Sequence, residues 1–207
     1  IFERNIMINK QDCWVHNHKV FSAVEKISTG DVLLQPATGI LSSRSQAVLS
    51  EPFIFSSPMD TVTGIHLTQK MLENDQAPIF CRFLEDDQLL SALNKFSDFE
   101  NFWFSVGAND SHFHFLQQWA QANPTQKLNI CVDIAHGDMK HLYKLYKMYS
   151  NASWCRHLMS GTIASVESAR NMVAVGCTHL RVGIGPGSAC STRMVTGCGI
   201  PNLNAVY

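Results

Sequence analysis

The sequence predicts an α/β fold built on a parallel sheet, and three features carry that prediction. Short apolar runs alternate with longer amphipathic ones from residue 52 to residue 184. The amphipathic runs open on residues that cap helix N-termini. The spacing between successive apolar runs leaves room for one helical crossover, the mark of βαβ units.

In chain order, residues 52–57, 77–81, 102–107, 128–133, 157–160 and 178–184 read as buried strands. Between them, residues 64–74, 86–96, 110–123, 138–149 and 165–175 carry helical periodicity. Asp86, Asp110, Asp138 and Ser165 stand where N-caps are expected, and Gly176 where the last helix should stop.

Composition narrows the class. With 207 residues, 45% hydrophobic and 16% charged, the chain is long enough to bury one core. Sixteen basic and seventeen acidic residues give a net charge of −1, with no basic stripe for nucleic acid and no acidic tail. The apolar runs fall far short of the ~20 residues that span a bilayer, and the first residues lack a signal peptide's apolar segment, so a soluble protein is expected. Seven cysteines (13, 81, 131, 155, 177, 190 and 198) at irregular spacing, with no C-x-x-C pair, fit reduced thiols in a cytoplasmic setting. Cys131 and Cys177 read as packing residues in or beside apolar runs. Cys13, His16 and His18 lie close in sequence but lack a fourth ligand at zinc-site spacing.

The chemistry concentrates in residues 181–201, RVGIGPGSACSTRMVTGCGIP. Glycines allow a tight backbone near a ligand, Ser188, Ser191 and Thr192 supply hydroxyls, and Arg193 supplies a fixed cation around Cys190. From composition alone, a nucleophile facing an anionic ligand and a flexible loop with an incidental cysteine are both open.

This segment resembles the catalytic-cysteine loop of the IMP dehydrogenase/GMP reductase family, whose common form is VGIGPGSxCTTRxxxGxGxPQ. The match runs through residues 182–188, then Cys190, Thr192, Arg193, Gly197, Gly199 and Pro201; Ser191 and Asn202 replace the usual Thr and Gln. Further blocks follow in the family's order: DVLLQP from Asp31, LSSRS from Leu41, SSPMDTVT from Ser56, DIAHG from Asp133 and SGTIA from Ser160. The resemblance covers residues 30–207 and implies a (β/α)8 TIM barrel, of which this chain supplies about six βα units. Residues 1–29 are expected to form an arm of unknown role. Only residues 97–101 separate the second helix from the third strand, so the regulatory module that some members carry there is absent. Family barrels continue with two more strands, a flap and a glutamate used in proton transfer. The chain is therefore expected to be part of a longer protein, with a naturally shortened relative as the alternative.

By the same resemblance, Cys190 forms a covalent intermediate at purine C2 and Thr192 assists proton transfer. Ser188 and the Gly187 backbone bind the 5′-phosphate, while Ser57 and Met59 line the nucleotide pocket. Asp133, Ile134, Ala135, Ile184 and Gly185 would contact the dinucleotide, although Asp133 could instead cap the next helix. Ser43 and Arg44 would reach a neighbouring subunit's cofactor, or Arg44 would be an ordinary surface residue. Carbonyls of Gly185, Gly187, Cys190 and Arg193 match a K⁺ site. The implied partners are GMP or IMP, with NADPH or NAD as cofactor, in a homotetramer. The missing module, Ile134 and the Arg82-Phe83 pair resemble GMP reductases; the SSPMDTVT block and Met194-Val195-Thr196-Gly197 resemble IMP dehydrogenases. A GMP reductase is expected, with an IMP dehydrogenase and a non-catalytic nucleotide-binding relative as alternatives.

Overall fold

Five of the six apolar runs form one parallel sheet in the computed structural model, which describes residues 43, 54–187, 190–202 and 205. The elements alternate: α1 (Ile65–Leu72), β1 (Ile79–Phe80), α2 (Asp86–Phe96), β2 (Trp103–Val106), α3 (Ser111–Ala122) and β3 (Leu128–Val132). They continue with α4 (Tyr143–Ser150), β4 (Cys155–Ile163), α5 (Val166–Ala174), β5 (His179–Val182) and a short α6 (Thr192–Thr196).

Strand order in the sheet is the order in sequence, β1-β2-β3-β4-β5, with every neighbouring pair parallel. A doubly wound sheet reverses its order at a switch point, whereas a barrel wall never does. The expected barrel topology therefore holds over the described strands. The first expected strand, 52–57, survives as a single parallel bridge, Phe55 to Ala77. It is flanked by hydrogen bonds from Ala77 N to Ile54 O (3.0 Å) and from Ser56 N to Ala77 O (3.1 Å). It lies beside the approach to β1, as the order requires, but its ladder is too short for a full strand.

Alternation along the strands builds two apolar layers. Ile79, Trp103, Cys131 and Met159 point to one side, with Ala77, into the barrel. Phe80, Phe104, Ile130, Val132 and Leu158 point to the other, where Leu93, Phe96, Leu116, Tyr146, Tyr149 and Met172 of the helices cover them. Burial on both faces is why β2 and β3 contain no exposed residue.

Helix starts differ instructively from expectation. Glu85, not Asp86, caps α2, in a reciprocal box with Gln88; Asp86 falls in the first turn, where the helix dipole favours a carboxylate. Asp110 occupies the N-cap position of α3 without a side-chain cap bond. Ser165 caps α5 as expected, accepting from Ser168 N at 3.1 Å. Asp138 caps nothing: α4 begins at Tyr143 after a 3₁₀ turn at Lys140–Leu142. β4 is longer than expected, so Ser160, Gly161 and Thr162 lie within the strand rather than after it. The expected arm, residues 1–29, and the Cys13–His16–His18 group lie outside the described residues.

Candidate active site

The loop after β5 is folded back on itself. Ile184 and Ile200 form an antiparallel bridge, with Ile200 N donating to Ile184 O at 2.9 Å. Between these points the Arg193 side chain passes over two glycines. A Cβ on Gly185 (φ +62°) would lie 2.8 Å from Arg193 Cγ, and one on Gly199 would lie 2.5 Å from it. Both positions need glycine, because a methyl group would displace the arginine.

Cys190 sits at the tip of this loop, half-buried, just before α6. Its backbone N donates to Gly187 O at 3.1 Å, and its Sγ lies 3.3 Å from Thr192 Oγ1. Hydrogen bonding from the Thr192 hydroxyl and backbone N–H, with the nearby Arg193 cation, holds the thiol below the ordinary thiol range. Three other cysteines behave oppositely: desolvation pushes Cys131, Cys155 and Cys177 each up to about 12. Cys131 and Cys177 are thus the packing residues the sequence suggested.

A second cluster gathers at the C-terminal ends of β1, β3 and β5. Arg181 Nη1 meets Asp133 Oδ1 at 2.9 Å, and Arg82 Nε stands 3.5 Å from Asp133 Oδ2. Arg82 also donates from Nη2 to Asp133 O at 3.3 Å and stacks 3.9 Å above the exposed Phe83 ring. Arg82 Nε is buried with no hydrogen-bond partner in the structure. Burial first, and then the Arg82 charge, lower the pKa of His112, which accepts from Gly107 N at 3.5 Å. Asp133 therefore does not cap the next helix. It balances one of two guanidiniums and leaves the cluster with one excess positive charge, suited to an anionic ligand.

Ile134 and Ala135 are in the loop that follows. Thr162 N and Oγ1 donate to Ile134 O at 3.2 and 3.1 Å, and the same hydroxyl donates to Ala135 O. The Ile134 side chain packs against the core, close enough that a Cβ on Gly161 would lie 2.4 Å from its Cγ1. Ser57 and Met59 lie exposed in the turn after the Phe55 bridge. Of the carbonyls matched to K⁺, Gly187 O accepts from Cys190 N and Arg193 O accepts from Gly197 N. Among the described residues, no group of three or more His, Cys, Asp and Glu side chains could hold a metal ion. Gly187 is exposed, as is Ser43, while Ser188 and Arg44 lie outside the described residues.

Sequence reasoning did not place Arg82 and Arg181 in the site. The available signal for Arg181 was a charge inside the strand run HLRV, where a partly buried guanidinium calls for a partner.

A family model described as the IMP dehydrogenase / GMP reductase domain matches residues 30–207. GMP reductase 2 of Homo sapiens is 30% identical over 199 residues, covering 87% of this chain and 56% of that protein. GMP reductase 1 of Homo sapiens is 29% identical over 196 residues, and GMP reductase of Enterobacter sp. (strain 638) 27% over 196 residues, with the same coverage. The chain spans about half the length of these curated relatives, 56% in each case.

Proposed function

The chain belongs to the IMP dehydrogenase/GMP reductase family, and from that premise we propose that it acts as a GMP reductase, converting GMP to IMP with NADPH. The observation that carries this reading is Cys190, a thiol held low by Thr192 and Arg193 after a barrel strand, in a chain whose relatives include GMP reductases.

In this mechanism the Cys190 thiolate adds to guanine C2, and the C2–N bond breaks to release ammonia, with Thr192 relaying the proton that the leaving amine needs. A nicotinamide cofactor, when bound, would supply the hydride that C2 needs; Cys190 is the group that then leaves C2, its sulfur taking the C–S bonding pair and returning as thiolate. Asp133, Arg82 and Arg181 suit such a dinucleotide, since the cluster carries one excess positive charge and the buried Arg82 Nε lacks a hydrogen-bond partner. Ile134, Ala135, Ile184 and Gly185 would border the same groove. Ser188 and the Gly187 backbone would receive the 5′-phosphate, with Ser57 and Met59 beside the base.

A homotetramer sharing Ser43 and Arg44 across subunits, K⁺ on the carbonyls of Gly185, Gly187, Cys190 and Arg193, and a cytoplasmic setting belong to the same proposal by resemblance. No helix among the described residues is long and apolar enough to cross a membrane. The test is a paired assay. NADPH oxidation dependent on GMP supports the reductase, and NAD reduction dependent on IMP would replace it with the dehydrogenase. Activity in neither direction, with nucleotide binding intact, would leave the non-catalytic reading.

A further inference from the structure

Asp138 is a carboxylate that the chemistry above does not use, yet it bonds to two helices. It lies five residues beyond Asp133, in the loop between β3 and α4. Its Oδ1 accepts from Tyr143 Oη at the start of α4, and its Oδ2 accepts from Asn171 Nδ2 of α5 at 3.1 Å. Asn171 Nδ2 also reaches Oδ1, at 3.4 Å. Among the described residues, no lysine or arginine pairs with it.

The loop that Asp138 closes is also pinned to β4. Gly137 N donates to Thr162 O at 2.7 Å, and Thr162 N donates back to Ile134 O at 3.2 Å. The approach is close: a Cβ on Gly137 would sit 2.7 Å from Gly161 O. The segment from Asp133 to Asp138 is therefore fastened to β4 at its middle and to α4 and α5 at its far end. Its near end carries the carboxylate held by Arg82 and Arg181.

We infer that Asp138 is a positioning residue: with Tyr143 and Asn171 it fixes the 133–138 loop and so sets the pose of Asp133, Ile134 and Ala135 for the dinucleotide. The inference rests on the cofactor groove proposed above. A carboxylate with two neutral donor residues suits this role, because each donor comes from a different helix packed beside the loop and neither is a mobile surface cation.

The test compares Asp138→Ala, Tyr143→Phe and Asp138→Asn in the full chain by amide hydrogen exchange and by NADPH and GMP binding. Asp138→Ala is expected to speed exchange at Gly137 and Met139 roughly ten-fold while β3 amides stay unchanged. It should weaken NADPH roughly ten-fold and leave GMP within about two-fold. Tyr143→Phe, which removes a hydroxyl alone, should repeat both effects in milder form if Asp138→Ala does not fold. Asp138→Asn, which keeps an acceptor for Tyr143, should recover part of the loss. Unchanged exchange at Gly137, or equal weakening of both nucleotides, would overturn the positioning role. A native chain that shows the Asp138-dependent exchange but binds no NADPH would instead remove the cofactor reading beneath it.

Discussion

Arg181 and Asp133 meet at 2.9 Å although their strands are not neighbours, for β4 lies between β3 and β5 in the sheet. The ion pair therefore ties non-adjacent strand ends of the barrel, and Arg82 joins it from the end of β1.

Removing the shared carboxylate should cost more than removing either cation. Asp133→Ala leaves two largely buried guanidiniums without a counter-charge, and the expected destabilisation is about 2 kcal/mol. Arg181→Met should cost less, and Arg82→Met, whose Nε stands 3.5 Å away, least of the three. Urea midpoints at constant slope measure the series.

The reactivity of Cys190 should depend on its neighbours in a pH-resolved way. A lowered thiol pKa means more thiolate at a given pH, so alkylation of Cys190 should begin at lower pH than for an ordinary thiol. Thr192→Val removes the hydroxyl's hydrogen bond and should move that profile upward. Cys131, Cys155 and Cys177, each pushed up to about 12, should stay unlabelled until the protein unfolds. Peptide-resolved iodoacetamide labelling from pH 6 to 9 reads both (order-of-magnitude window set by ordinary thiols near ~8.5).

Asp138 should make stability fall on the acid side. Burial opposes its ionisation, but hydrogen bonds from Tyr143, Ser168 and Asn171, with the His136 charge, outweigh that and lower its pKa from 3.8. A depressed carboxylate contributes stability above its unfolded pKa and loses it as pH falls through the folded one. Asp138→Asn should therefore narrow its deficit relative to the native chain as pH falls below 3.8, which urea unfolding at acid and neutral pH would show.

The glycines under Arg193 give a local prediction. Gly199→Ala places a methyl 2.5 Å from Arg193 Cγ and should displace that side chain, slowing Cys190 alkylation several-fold. The loop stands apart from both apolar clusters, so the urea midpoint should hardly move.

How much of this was legible in the sequence depended on the range of the interaction. The Cys190 loop could be read because its glycines, hydroxyls and thiol are consecutive, and α2, α3 and α5 because helical periodicity is local. Arg82, Asp133 and Arg181 are separated by some fifty residues at each step, and only the strand order brings them together. Helix starts failed for a different reason: several residues compete for one role. Glu85 won the α2 cap because Gln88 completes the box, and Asp138 was drawn away by Tyr143 and Asn171. Such competition is decided by side chains from other elements, which no window of the sequence contains.

Under the proposed function, Cys190 is the nucleophile toward a purine nucleotide. Peptide mass spectrometry of the chain, quenched in acid after incubation with GMP, reads this step directly. A purine ribonucleotide adduct, short of ammonia, is expected on the peptide carrying Cys190 and absent from Cys190→Ala. An unmodified Cys190, or an adduct on the exposed Cys198 instead, would contradict it.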